Sequence, residues 1–246
     1  MKNKKQPVKY TNIIYGVHPV IELLQSKRIK VGAIYALKNP IKSWTAISKL
    51  IPSHIPVSLV TRETLDNVSL NKEHQGIIAF VGDFPFTQTM FTPEKQKFVV
   101  LLDEIQDVRN LGAILRSAYC TGVDGVVLVR ANAASLTPAA FKASAGLAIH
   151  MPIHISPSIK SAMLDLKRSG YNIYCATLGA GESVANFTFK EPAVLVIGNE
   201  EKGISGDVSR NGTRILLPQR RPDISYNASV AAGILMYSIG LQLNKI

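Results

Sequence analysis

Three polar segments hold the residues that could do chemistry, and each follows an apolar run of strand length. Asp107-Val-Arg-Asn-Leu-Gly-Ala-Ile-Leu-Arg116 comes after the run Phe98–Leu102. Asn110 stands there where a helix N-cap belongs, and Arg116 falls two turns into the helix that follows. Ile197-Gly-Asn-Glu-Glu-Lys-Gly-Ile204 ends a second run in a glycine-bracketed acidic turn. Leu217-Pro-Gln-Arg-Arg-Pro-Asp-Ile-Ser-Tyr-Asn-Ala-Ser229 leads straight into an Ala/Gly-rich helix. Open α/β sheets bind ligands at the carboxyl ends of their strands, which is where all three segments fall.

Each segment also has an ordinary structural reading. Asn110 is a cap and Arg116 a surface cation; the acidic turn is a polar loop. Ser225 or Asn227 caps the last helix, and Ala231, Ala232 and Gly233 let it pack closely. Familiar nucleotide signatures are missing. Gly179-Ala-Gly-Glu-Ser-Val184 lacks the third glycine of the dinucleotide fingerprint and comes late in the chain. No G-x-x-x-x-G-K-[ST] sequence occurs. The five His and two Cys show no metal-ligand spacing, so no metal is expected.

The elements that must position these segments follow from periodicity. In the first third, residues 20–24, 44–50 and 62–68 pattern as short helices. Residues 32–37, 55–60 and 76–81 pattern as strands between them. Phe98–Leu102 is continuously apolar, as a strand buried on both faces requires. Further strands fit 125–129, 171–177, 193–197 and 213–217. Helices fit 111–121, 138–148, 158–169 and the stretch from Ala228 toward the C-terminus. This alternation predicts an α/β fold with a mostly parallel sheet covered by helices on both faces. The expected organisation is a basic tail at 1–12, a small α/β domain at 13–83, a linker at 84–96 and a larger domain at 97–246.

Charge narrows the partner. The 246 residues carry 28 Lys+Arg against 17 Asp+Glu, a formal net of +11. Residues 1–96 hold 13 of the cations and 6 of the anions, so the smaller part is the more basic per residue. Such a surplus fits a polyanion, through release of condensed counterions. Cys120 and Cys175 lie in apolar segments with no pairing pattern, which fits a reducing compartment. No signal-peptide core follows the basic start, and no apolar stretch reaches the ~20 residues of a membrane span. A soluble cytoplasmic protein is expected, with no membrane partner.

Taken in order, N-x-G-x-x-x-R, then G-N-E-x-x-G, then L-P followed eight residues later by S-Y-N-x-S-V-A resembles the SpoU (TrmH) family of RNA ribose 2′-O-methyltransferases. The resemblance reaches the first third as well. Tyr15-Gly-Val-His-Pro-Val-Ile21 and His74-Gln-Gly-Ile-Ile-Ala79 look like the two ends of that family's small RNA-binding domain, which is related in fold to certain ribosomal proteins. The match spans roughly residues 13–246.

The resemblance implies a SPOUT domain whose C-terminal part is tied in a trefoil knot, an S-adenosylmethionine cofactor, and a homodimer formed through the knotted domains. It implies RNA, not DNA, as the partner, with active sites that borrow residues across the interface. By position, Thr177, Gly198, Asn199, Leu217, Ser225, Tyr226 and Asn227 would contact the cofactor. Asn110, Arg116, Glu200 and Asn227 match the family's catalytic positions, with Asn110 orienting Arg116 or the ribose. The family's arginine is cast as a base, but a guanidinium is essentially always charged. Holding a phosphate and stabilising a developing alkoxide suits it better. Some positions depart from the pattern: Val108 replaces a common Pro, Tyr226 and Ala228 interrupt S-L-N-V-S, and Arg220 and Arg221 occupy a turn that often holds Gly. A guanosine of 23S rRNA is the leading substrate. A tRNA ribose, an antibiotic-resistance site on rRNA and a non-catalytic ribosome-assembly role are the competing readings.

Overall fold

A computed structural model of the chain describes residues 10, 12–39, 41–130, 132–179, 181–199, 201–204, 206–221 and 224–246. The basic start of the chain and Glu200 lie outside the described residues. Two compact units result: Met1–Pro85 together with Ala145–His150, and Phe86–Ser144 together with Met151–Ile246.

The first unit runs β1 (Asn12–Tyr15), α1 (Val17–Ser26), β2 (Val31–Leu37), α2 (Trp44–Leu50), β3 (Val57–Val60), α3 (Arg62–Ser69) and β4 (Ile77–Val81). Its sheet has the order β1-β4-β2-β3, with only the β2–β3 pair parallel. Tyr15, Leu65 and Ile78 form its buried centre, with Tyr35, Leu37 and Val60 packed against them. The His74-Gln75-Gly76 turn explains both sequence segments of this unit. His74 is fully buried; its Nδ1 accepts from the Gly76 amide at 2.9 Å, which leaves the ring proton on Nε2, 2.7 Å from Asp66 Oδ1. Gln75 Oε1 accepts from the Val17 amide at 3.1 Å. That satisfies one orphan donor of α1, whose own N-cap Gly16 has no side chain to do so.

The second unit runs β5 (Phe98–Leu102), α4 (Val108–Cys120), β6 (Gly125–Val129), α5 (Pro138–Ala143), β7 (Ile153–Ser156), α6 (Ile159–Arg168), β8 (Asn172–Ala176), β9 (Glu182–Ser183), β10 (Ala193–Ile197), α7 (Gly206–Ser209), β11 (Thr213–Leu216) and α8 (Ala228–Gln242). Its seven strands are ordered β7-β6-β5-β10-β8-β11-β9, and every pairing is parallel. Side chains alternate across such a sheet. Val99, Leu101, Val127, Val194 and Val196 therefore share one face with Met163 and Leu166 of α6 and Val208 of α7. On the other side α4 packs against α5 and α8. Gly112 permits that approach: a Cβ there would stand 2.5 Å from Ala143 Cβ and 2.6 Å from the Ala140 carbonyl.

The structure revises several expectations. The helix expected over 138–148 stops at Ala143, because Ala145 (φ 53°) and Gly146 (φ 91°) turn the chain left-handed before a 3₁₀ turn at Leu147–Ile149. Within the first unit, His150 Nε2 then meets Glu22 Oε2 at 2.8 Å, and Arg28 donates to the Ile149 carbonyl at 2.9 Å. β1, β7, β9 and α7 were not expected. Each is four residues or fewer, too short for periodicity to register.

Candidate active site

Parallel strands β8, β10 and β11 bring their carboxyl ends to one edge of the sheet, and a cleft opens there. Ala176, Thr177 and Leu178 line it from the end of β8, and Ile197, Gly198 and Asn199 from the end of β10. Leu217 and Gln219 follow β11, while Ser225, Tyr226, Ala228 and Ala231 close the cleft at the start of α8. None of the described residues lining it is charged. Apart from Tyr226 the walls are aliphatic, and the polar groups are uncharged. Such a lining takes a flat heteroaromatic ring and holds its polar edge through backbone groups.

The turn after β10 is braced from inside. Asn199 Oδ1 accepts from the amides of Glu201 (2.9 Å) and Lys202 (3.1 Å), and its Nδ2 donates to the Glu104 carbonyl at 2.9 Å. The chain then folds back so tightly that a Cβ on Gly198 would lie 2.4 Å from both Gly203 C and Ile204 N. Only glycine fits.

The third segment both caps a helix and ties the site together. Asn227 is the N-cap of α8, its Oδ1 accepting from Ser229 N (2.9 Å), Val230 N (3.4 Å) and Ser229 Oγ (2.6 Å). Its Nδ2 donates to Asn110 Oδ1 at 3.2 Å. The side chain thus points toward α4, and Asn227 does not line the cleft as its neighbours Tyr226 and Ala228 do. Asn110 is not a cap. Asp107 caps α4 instead, accepting from Arg109 N at 2.7 Å, which leaves the Asn110 carboxamide inside the first turn and available to α8.

Of the expected cofactor contacts, Thr177, Gly198, Asn199, Leu217, Ser225 and Tyr226 all come together at the cleft. Glu200 falls outside the described residues. Arg116 is exposed on α4 and is not part of the lining. Six residues separate it from Asn110, about 9 Å along the helix and a third of a turn around it. Arg220 and Arg221 are exposed. Sequence reasoning missed Gln219, Ala228 and Ala231; their only signal was position beside strand ends and a helix start. It also missed Asp103, which follows β5 and is only 8% exposed. Burial, and then the nearby charge of Glu104, push its pKa up to about 6.

Known proteins place this architecture. Residues 97–237, more than half of the chain, match the SpoU rRNA methylase family, and residues 13–87 match the RNA 2′-O ribose methyltransferase substrate-binding family. A Bacillus subtilis (strain 168) protein assigned to the TrmH family of tRNA/rRNA methyltransferases is 30% identical over 242 residues, covering 95% of this chain and 96% of that one. Among solved structures, a TrmH-family protein from Porphyromonas gingivalis superposes with a TM-score of 0.74 at 25% identity, covering 93% of this chain and 88% of that one. An AdoMet-bound rRNA methyltransferase from Sinorhizobium meliloti gives 0.77 at 18% identity, over 94% and 87%. The fold is that of an α/β methyltransferase preceded in the chain by a segment of the substrate-binding family. The chain belongs to the SpoU rRNA methylase family and is an RNA 2′-O-methyltransferase of that type.

Proposed function

We propose that the protein methylates the 2′-hydroxyl of a guanosine ribose in 23S rRNA, with S-adenosylmethionine as donor. The observation that carries this reading is the uncharged cleft at the carboxyl edge, tied by the Asn227–Asn110 hydrogen bond to the helix bearing Arg116. The residues fit the donor. Leu178, Ile197 and Leu217 supply apolar walls beside the Gly198 turn, which is too tight for any side chain. Thr177, Asn199, Ser225 and Tyr226 sit where they would hold it. When bound, that cofactor supplies a sulfonium methyl that is already activated.

What remains for the protein is alignment of the hydroxyl and help with its proton. Arg116 holds the adjacent phosphate and stabilises the alkoxide as it develops, while the proton leaves to water or a neighbouring group. Asn110 fixes α4 against the cleft through Asn227, and Glu200 serves substrate and loop geometry. Residues 13–83 hold the RNA, a role supported by the match of that segment to a substrate-binding family. Residues 97–246 form the methyltransferase domain after a linker at 84–96, with the last segments tied as the family's trefoil knot. Because Arg116 stands outside the cleft of its own chain, it acts at the cleft of a second copy in a homodimer. The reaction takes place in the cytoplasm; among the described residues no helix is long and apolar enough to cross a membrane.

The test is transfer of labelled methyl from S-adenosylmethionine to purified 23S rRNA and to bulk tRNA. Label in the 2′-O position of one rRNA guanosine is expected, lowered at least ~100-fold by Arg116→Ala with cofactor affinity retained. Label in tRNA alone would move the substrate, and undiminished transfer by the variant would remove Arg116 from its role.

A further inference from the structure

Two adjoining cavities share no lining residue with the cleft at the carboxyl edge. The larger, of about 650 Å³, opens between α6 and α7, and the other, of about 520 Å³, adjoins it beside Asn172 and Thr213, which begin β8 and β11. Lys167, Arg210 and Asn211 line both, so the two form one continuous groove. Nothing in the methyl-transfer reaction uses this surface.

The groove has a defined chemistry. Lys160 and Lys167 stand seven residues apart on α6, two turns along one face, and Lys190 lies further along. None of these three lysines has an ion pair among the described residues. Arg210 is paired with Asp207, the one carboxylate on the described lining. Between the lysines the floor is apolar: Met163, Val208 and Leu164, the last 48% exposed to solvent. Lys167 Nζ donates to the Asn211 carbonyl at 3.5 Å, and cations without a carboxylate partner around an apolar floor match an unpaired nucleobase flanked by phosphates. An RNA methyltransferase has such a polyanion at hand.

We propose that this groove is a second RNA-binding surface, which holds a single-stranded segment of the substrate with Lys160, Lys167 and Lys190 on phosphates and a base against Leu164. It rests on the chain being an RNA methyltransferase, and it adds a contact on residues that the cleft does not use. Lys160 and Lys167 stand about 10 Å apart along α6, close to the Debye length of ~10 Å at 0.1 M salt, so they act jointly on one strand.

The experiment measures binding of the full chain to a labelled 20-nucleotide oligouridylate across a salt series, with a polyglutamate peptide in a parallel arm. The variant is Lys160→Gln/Lys167→Gln/Lys190→Gln, and Leu164→Glu is a second, independent one. Neutralising three phosphate contacts should weaken RNA at least ~10-fold and lower the log–log salt slope by about 2. Leu164→Glu should weaken RNA as well, while both variants keep wild-type cofactor affinity and melting temperature. An RNA affinity and slope unchanged in both variants overturns the proposal. So does a loss confined to the polyglutamate arm, which would make the groove an acidic-peptide site. Failure of the wild-type chain to bind RNA at all would instead strike the proposed function.

Discussion

The Asn227 carboxamide donates to Asn110 Oδ1 across 3.2 Å while its own oxygen caps α8. One side chain thereby couples the cleft, lined in part by Ser225, Tyr226, Ala228 and Ala231, to the helix that carries Arg116. The two roles use different atoms, so they separate by substitution. Asn227→Asp keeps the capping oxygen and suits a helix N-terminus, but has no amide to donate. It should melt within a few degrees of wild type yet lose ~10-fold or more in methyl transfer. Asn227→Ala should lose the transfer and also ~1 kcal/mol of stability. Full activity in Asn227→Asp would reduce the bridge to a bystander.

Gly198→Ala tests the turn on which the cleft depends. The added methyl would meet Gly203 C and Ile204 N at 2.4 Å, and both are backbone atoms that cannot rotate away. The turn must open, displacing Asn199 from its brace on the Glu104 carbonyl. Cofactor affinity, measured by titration calorimetry, should fall at least ~30-fold, while RNA affinity persists. Wild-type cofactor affinity would show that the turn yields at no cost.

Much of this site was legible because its parts sit at fixed offsets from strong strands. Phe98–Leu102 and Ala193–Ile197 are fully buried and continuously apolar, so the segments after them had to reach the carboxyl edge. Partners between distant segments were not legible. Local pattern places Asn110 at a helix start, but Asp107 three residues earlier competes for the cap and wins, and only the packing of α4 on α8 reveals what Asn110 meets instead. Asp103 was invisible for a similar reason. Its burial comes from neighbouring strands β6 and β10, which begin 22 and 90 residues further along the chain.

Asp103 makes stability depend on pH in a definite direction. Its folded-state pKa, about 6, is raised above the ordinary value of 3.8, so the folded chain holds this proton more tightly than the unfolded one. Stability from this group is fully present below pH ~4, is lost as pH rises through about 6, and stays lost above it. A two-unit shift is worth at most ~3 kcal/mol. Asp103→Asn, which carries no charge at any pH, should raise the unfolding free energy by ~1–3 kcal/mol at pH 8 and change it little at pH 4. Equal effects at the two pH values would assign Asp103 another role.

The last helix predicts the assembly. Val230, Ile234, Tyr237 and Leu241 recur at spacings of four, three and four along α8 and are 37–56% exposed, which puts an apolar stripe on its outer face. Tyr119, three residues beyond Arg116 on the adjoining helix α4, is 45% exposed. A second copy covering this stripe would bury it and bring a foreign Arg116 within reach of the cleft. Ile234→Asp/Tyr237→Asp should therefore shift the protein from dimer to monomer in analytical ultracentrifugation and abolish transfer, since each monomer would retain a cleft but no arginine at it. Mixing Arg116→Ala with Gly198→Ala chains sharpens the point. With cofactor held well below the weakened affinity of Gly198→Ala, each homodimer is inactive, but a mixed dimer pairs the intact cleft of the first chain with the intact arginine of the second. With random mixing, activity should recover to about a quarter of wild type, since half of the dimers are mixed and each has one working site. No recovery in a demonstrably mixed population would place Arg116 at the cleft of its own chain.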